Sequence, residues 1–131
     1  MKYLNMIFLK KITLYIMSFF YINVGMKHLI EPEWFLYIIP PYLSIIGLEL
    51  VYISGIFEII LGILLLFPKY RKISAYGIIL LLIAVYPANI YLAFNELPQE
   101  QIGISSFAAS WARLPMQFIF IGLAYIHSTI D

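Results

Sequence analysis

The chain has 131 residues, of which 63% are hydrophobic and only 11% are charged, and its mean hydropathy is +0.94. Soluble domains carry about 25% charged residues, so this composition indicates an integral membrane protein with a single domain, residues 1–131. A net charge of +1 without a basic cluster excludes nucleic-acid binding. The absence of cysteine excludes disulfides, thiol redox chemistry and metal centres held by cysteine.

The first apolar run follows a basic start that contains Lys2, Lys10 and Lys11. Signal peptides also begin with basic residues before an apolar run. Residues 21–25, however, lack the small-residue pattern of a cleavage site. We therefore predict that this run is retained and that it forms a first membrane span over residues 10–29.

The next uncharged segment, residues 34–48, is interrupted by Pro40 and Pro41. It is short for a span of about 20 residues, and a proline pair breaks a helix. If it crossed the membrane, the basic loop 68–72 would lie opposite the basic N-terminus, against the positive-inside rule. We predict an outer cap that is interfacial or re-entrant. Its anchors at headgroup level are then Trp34, Tyr37 and Tyr42.

Further apolar runs predict spans over residues 49–67, 73–94 and 111–129. The polar stretch 96–106 is predicted to be a loop from its proline, glycine and serine content. The predicted fold is therefore all-α, an integral membrane four-helix bundle with the cap between the first two spans. Because most lysine and arginine residues fall on one predicted side, we expect a multi-pass cell-membrane protein with both termini in the cytoplasm.

Glu58 lies near the middle of the second predicted span, about 15 Å deep at 1.5 Å per residue. A charge at that depth costs about 2.5–3.5 kcal/mol on insertion scales, so Glu58 needs a partner, a proton or a function. Other polar side chains are predicted in the same outer layer of the bilayer, because side chains lean towards the N-terminus of their own helix. With His28 at the outer mouth, they predict one polar pocket that is open to the outer face. They are Asn23, Asn89, Arg113 and Gln117.

Small residues and a proline predict two local features. Gly55 and Gly62 lie on either side of Glu58, and small residues permit a close approach of two helices. Pro87 has no amide N–H, so the carbonyl of Ile83 is predicted to be free for another donor.

Each candidate residue also has a structural interpretation. Glu58 with Arg113 is either an ion pair that binds a polar head group or a clamp that holds two helices in register. Asn89 and Gln117 either orient a ligand or form hydrogen bonds between helices. His28 either carries protons and contacts an anionic head group, or is an ordinary interfacial histidine. No metal site is predicted, because no histidine or carboxylate pair has ligand spacing on one helix.

Four motifs follow one another along the chain: Gly25-x-x-His28, Gly55-x-x-Glu58-x-x-x-Gly62, Pro87-Ala88-Asn89 and Trp111-x-Arg113-Leu114-Pro115-x-Gln117. From about residue 21 to residue 125 the chain resembles the DoxX-like family of small four-helix membrane proteins. The resemblance implies that fold. It implies function only loosely: relatives include a subunit associated with thiosulfate:quinone oxidation and proteins linked to membrane redox complexes, while many others have no assigned role. A relative that works through thiols is a poor guide to a chain without cysteine.

We expect a membrane protein whose outer-half pocket binds a lipophile such as a quinone, as an accessory of a membrane redox system. Glu58 would accept a proton or hydrogen bond, with Arg113 as its counter-charge. The orienting amides would be Asn89 and Gln117, and the remaining ligand-binding candidates are His28 and Asn23. The residues leave open whether any reaction is catalysed.

The alternative is a non-enzymatic assembly or chaperone-like subunit whose polar layer is purely structural. Its partners beyond the lipid bilayer would be another membrane protein or a second copy of the chain. A proton-coupled transporter is less favoured, because four short helices leave little room for alternating access.

Overall fold

The computed structural model describes residues 2–105, 108 and 113–129, without the side chains of residues 3, 114, 128 and 129. No β-strand occurs in these residues, which confirms the all-α prediction. The helices are α1 (Lys2–Ile30), α2 (Pro32–Leu36), a 3-10 helix (Pro41–Ile46), α3 (Gly47–Leu65), α4 (Pro68–Ala84), α5 (Tyr86–Phe94), α6 (Glu96–Ile102) and α7 (Arg113–Thr129).

Three helical stretches are long and apolar enough to cross a membrane: Leu4–Ile30, Pro41–Leu65 and Pro68–Phe94. The apolar part of α7, Pro115–His127, is shorter. The predicted last span begins at Trp111, which lies outside the described residues. Length and composition therefore support three spanning helices, with α7 as a further apolar helix.

Helices α1 and α3 pack closely through glycines. A Cβ atom added at Gly25 would lie 2.6 Å from the carbonyl oxygen of Gly55, which is closer than two such atoms approach. Further along the same contact, Oγ of Ser18 donates a hydrogen bond to the carbonyl of Gly62 at 2.6 Å. The glycines on either side of Glu58 thus bring the helix of this carboxylate against α1.

The apolar core lies where α1, α3, α4 and α7 meet. The turn between α3 and α4 is fastened by Arg71, whose Nε donates to the carbonyl of Leu65 at 2.9 Å and whose Nη2 donates to that of Leu66 at 3.3 Å. Ser74 adds a hydrogen bond to the carbonyl of Leu61. The buried core residues are Leu14, Met17, Tyr21, Leu65, Ala75, Ile78, Leu82 and Ala124.

The segment predicted as the cap, residues 34–48, contains the end of α2 and the whole 3-10 helix. The ring of Phe35 stacks on that of His28 with 3.7 Å between centroids, so the segment folds over the end of α1. Two of the predicted anchors, Tyr37 and Tyr42, are 43% and 76% exposed. The third, Trp34, is 37% exposed.

The polar stretch that was predicted to be a loop contains helix α6, so that prediction was wrong for residues 96–102. Pro98 lies in the first turn, where an α-helix has no internal acceptor for an amide N–H. Gly103 ends the helix with a φ of 75°. The side chain of Gln99 donates to the carbonyls of Leu92 and Ala93 at 2.9 and 3.3 Å, which joins α6 to the end of α5.

Candidate functional site

A cavity of about 850 Å³ lies beside the core. The end of α1, the cap segment, the first half of α3, the junction of α4 with α5 and the start of α7 form its walls. This volume falls within the ~300–1,000 Å³ that small-molecule sites occupy, and such sites are mostly apolar with a few polar groups. Its aromatic lining residues are Phe20, Tyr21, Trp34, Phe35, Phe57 and Phe120.

Nearly all of the predicted site residues line this cavity: His28, Glu58, Asn89, Arg113 and Gln117. Asn23 does not. Its side chain is exposed and donates to the carbonyl of Phe19 in its own helix at 2.8 Å. Asn23 is two residues beyond the buried Tyr21, which is about 200° around the helix, so it does not join the polar layer that the sequence predicted.

Glu58 lies beside His28, at 3.3 Å between Oε2 and Nδ1, and the described residues contain no ion pair between Glu58 and Arg113. Nδ1 of His28 is also 2.7 Å from the carbonyl oxygen of Val24. A carbonyl can only accept, so the hydrogen on Nδ1 is used there. Oε2 of Glu58 is consequently buried without a hydrogen-bond partner among the described residues. The predicted pairing of Glu58 with Arg113 is therefore wrong.

Arg113, Asn89 and Gln117 form a chain of hydrogen bonds. Nη2 of Arg113 donates to Oδ1 of Asn89 at 3.1 Å. Nδ2 of Asn89 donates to Oε1 of Gln117, and Nε2 of Gln117 donates to the carbonyl of Leu82. The two ends determine the direction of the chain, since a guanidinium can only donate and a carbonyl can only accept. The amides thus connect α7 to α4 and α5, which is their structural interpretation.

The carbonyl of Leu82 is available to Gln117 because the helix is interrupted nearby. α4 ends at Ala84 and α5 begins at Tyr86, with Pro87 in its first turn. The sequence predicted a free carbonyl at Ile83. In the structure, the carbonyl that accepts the side-chain hydrogen bond is instead that of Leu82.

Three residues that line the cavity each have one buried polar atom without a hydrogen-bond partner among the described residues. These atoms are the hydroxyl of Tyr21, Oε2 of Glu58 and Nε of Arg113. Leaving such an atom unpaired costs about 1–3 kcal/mol, and more if it is charged. Native proteins contain few of them. All three residues line the same cavity.

A family model described as a domain of unknown function, DUF8561, matches residues 17–128. The chain belongs to the DUF8561 family. Searches of curated proteins and of solved structures returned no match. The DUF8561 region includes every residue that lines the cavity, so the cavity lies entirely within the part of the chain that defines the family.

Among the cavity residues that the sequence reasoning missed, Tyr21 is the one with an unpaired buried atom among the described residues. The signal that identifies it is the spacing of Tyr21, Gly25 and His28, which are four and three residues apart and lie on one face of α1. All three are buried. No group of three or more histidine, aspartate or glutamate side chains that could hold a metal ion occurs in the described part of this DUF8561 chain.

Proposed function

We propose that this DUF8561 protein is an integral membrane protein that binds a lipophilic molecule in the cavity, with the polar head of the molecule at Glu58 and Arg113. The observation that carries the proposal is that Tyr21, Glu58 and Arg113, each with one unpaired buried polar atom, all line one largely apolar cavity. A ligand with a polar head satisfies these atoms, and its apolar body fills the aromatic remainder of the space.

The proposal includes a topology of four spans, in which α7 and the residues before it cross the membrane after the three longer stretches. The cap lies at the outer face and both termini lie in the cytoplasm, because one side then carries most of the basic residues. Glu58 is eleven residues after Gly47 at the start of α3, which is about 16 Å along the helix. The cavity then lies in the outer half of the bilayer. The basic residues on the cytoplasmic side are Lys2, Lys10, Lys11, Lys69, Arg71 and Lys72.

A quinone is one candidate ligand, and it would make the protein an accessory of a membrane redox system. The carbonyl oxygens of a quinone can accept hydrogen bonds from Nε of Arg113 and from the hydroxyl of Tyr21. The redox role itself is suggested by the resemblance to the DoxX-like family rather than by the DUF8561 match.

A second candidate is a non-enzymatic assembly or chaperone-like subunit that acts on another membrane protein or on a second copy of the chain. The hydrogen-bond chain from Arg113 to Leu82 favours it, because that chain is complete without a ligand. Polar contacts of this kind hold membrane helices together. This candidate leaves the unpaired atom of Glu58 without an explanation.

The experiment that tests the proposal is mass spectrometry of the organic extract of protein purified in mild detergent, compared with an extract of the source membrane. We expect one lipophile to be enriched with the wild type and lost from Glu58→Gln. Glu49→Gln is the matched control, because Glu49 lies on the same helix, is exposed and does not line the cavity. No enrichment in the wild type, together with a co-purifying membrane protein, would instead favour the assembly subunit.

A further inference from the structure

We infer that the head group bound in the cavity is a zwitterion, with a protonated amine at Glu58 and an anionic group at Arg113. This inference rests on the proposed function and names the ligand class of the same cavity. The shared chemistry is an ammonium group a few bonds away from a phosphate or carboxylate.

Oε2 of Glu58 has no hydrogen-bond donor among the described residues. An ionised carboxylate only accepts, and Glu58 is 7% exposed. Its neighbour His28 directs the hydrogen of Nδ1 to the carbonyl of Val24, and no lysine or arginine pairs with Glu58 among the described residues. An ammonium group carries three donors and a positive charge, so it supplies both of the missing interactions.

The cavity that Glu58 lines is also suited to a cation. Phe57, the next residue along α3, and Tyr21 both line the same cavity. The faces of aromatic rings attract an ammonium group, and the attraction increases when the site excludes water.

Arg113 requires an acceptor. Its Nη2 is used by Asn89, while its Nε is buried and unpaired. The planar guanidinium matches the oxygen atoms of a phosphate or carboxylate better than any other side chain does. The hydroxyl of Tyr21 is a further buried donor without a partner among the described residues.

The charges of the cavity favour a head group with no net charge. The lining contains two cations, Lys27 and Arg113, and two carboxylates, Glu31 and Glu58, which sum to zero with neutral histidine. Because Glu58 and Arg113 are not paired with each other, a head group with one charge of each sign complements both. A quinone offers acceptors only, so it would leave the carboxylate of Glu58 without a donor.

Two sources provide this chemistry: a bilayer lipid such as phosphatidylethanolamine, and a soluble compound such as glycerophosphoethanolamine. The largely apolar lining favours the lipid. The experiment uses delipidated protein in detergent and measures the thermal unfolding midpoint against increasing ligand. The ligands are phosphatidylethanolamine, phosphatidylcholine, phosphatidylglycerol and diacylglycerol with identical chains, together with a short-chain ubiquinone and glycerophosphoethanolamine.

We expect phosphatidylethanolamine to bind most tightly. In Glu58→Gln its preference over phosphatidylglycerol should fall roughly tenfold or more, because a charge-assisted hydrogen bond is lost. Glu49→Gln should retain the preference. A second measurement needs no variant: successive N-methylation from phosphatidylethanolamine to phosphatidylcholine removes one N–H donor at a time, and affinity should fall at each step.

The outcomes separate the two claims. Equal binding of phosphatidylethanolamine and phosphatidylglycerol, a flat methylation series, or binding of the quinone alone would overturn the zwitterion and leave the lipophile site standing. Failure of every lipophile to bind would overturn both. Glycerophosphoethanolamine that binds as tightly as the lipid would support the zwitterion and contradict the lipophile.

Discussion

Nη2 of Arg113 donates a hydrogen bond to Oδ1 of Asn89 at 3.1 Å, and this contact is the first link of a chain that ends on the carbonyl of Leu82. The guanidinium is therefore directed towards α5. Helix α7 packs against α4 and α5, while α3 packs mainly against α1 and α4. As a result, Glu58 and Arg113 line one cavity without forming an ion pair. The chain of hydrogen bonds from Arg113 to Leu82 and the unpaired carboxylate of Glu58 are therefore separate features.

The first prediction concerns the chain of hydrogen bonds from Arg113 to Leu82. Gln117→Leu removes the acceptor for Asn89 and the donor for the carbonyl of Leu82, so we expect the free energy of unfolding to fall by about 1–2 kcal/mol. Unfolding in a detergent titration measures it. Ile119→Leu introduces the same side chain at a position that is 59% exposed and should have little effect. Equal stability of the two variants would show that the chain of hydrogen bonds contributes nothing.

The second prediction concerns the contact of α1 with α3. In Gly55→Ala the new Cβ would lie 2.6 Å from Cβ of His28. Such overpacking typically costs about 1–3 kcal/mol, and it should move His28 away from Glu58. Gly122→Ala is the control, since nothing lies within 4 Å of a Cβ at that position and alanine favours a helix. Thermal midpoints that fall equally for both variants would contradict the close approach.

The third prediction concerns the turn between α3 and α4. Arg71→Gln loses the hydrogen bonds to the carbonyls of Leu65 and Leu66, so we expect a loss of about 1 kcal/mol in the free energy of unfolding. Lys72→Gln removes a neighbouring positive charge from an exposed side chain and is expected to be close to neutral. If both variants lose the same stability, charge rather than hydrogen bonding explains the effect of Arg71.

The fourth prediction concerns topology, and the absence of native cysteine makes it simple to test. Glu33→Cys should react with a membrane-impermeant maleimide in intact cells, because the cap is placed at the outer face. Lys72→Cys should react only after the membrane is permeabilised. Both positions are exposed in the structure. Labelling of Lys72→Cys in intact cells would reverse the proposed orientation.

The helices were predictable because long apolar runs have few other solutions in a membrane. The effect of Pro87 was predicted only in part: the sequence indicated a free carbonyl at Ile83 within one span over residues 73–94, whereas the structure has two helices, α4 and α5. Helix α6 was not predicted, because Pro98 and Gly103 in this polar stretch were interpreted as signs of a loop. Both residues occur at positions where helices tolerate or favour them, the first turn and the C-terminal cap.

Most of the predicted site residues line the cavity, but the partner of each side chain was not predictable. The rise per residue predicts that Asn23 and Glu58 lie at a similar depth in the bilayer, but the face of each helix decides which side chains meet. Asn23 lies off the buried stripe of α1, whereas Tyr21 lies on it. The partner of Glu58 depends on which helices are neighbours, and that order could not be deduced from the spacing of residues within one helix.

The central claim is that a bound lipophile satisfies the buried atoms of Tyr21, Glu58 and Arg113. Its most direct test is the thermal midpoint of the wild type and of Glu58→Gln before delipidation, after delipidation, and after the organic extract of the wild type is added back. We expect the wild-type midpoint to fall and then recover, because a ligand that binds only the folded protein stabilises it. The thermal midpoint of Glu58→Gln should change much less at both steps. Equal falls in the two proteins, or a wild-type midpoint that delipidation leaves unchanged, would contradict the claim.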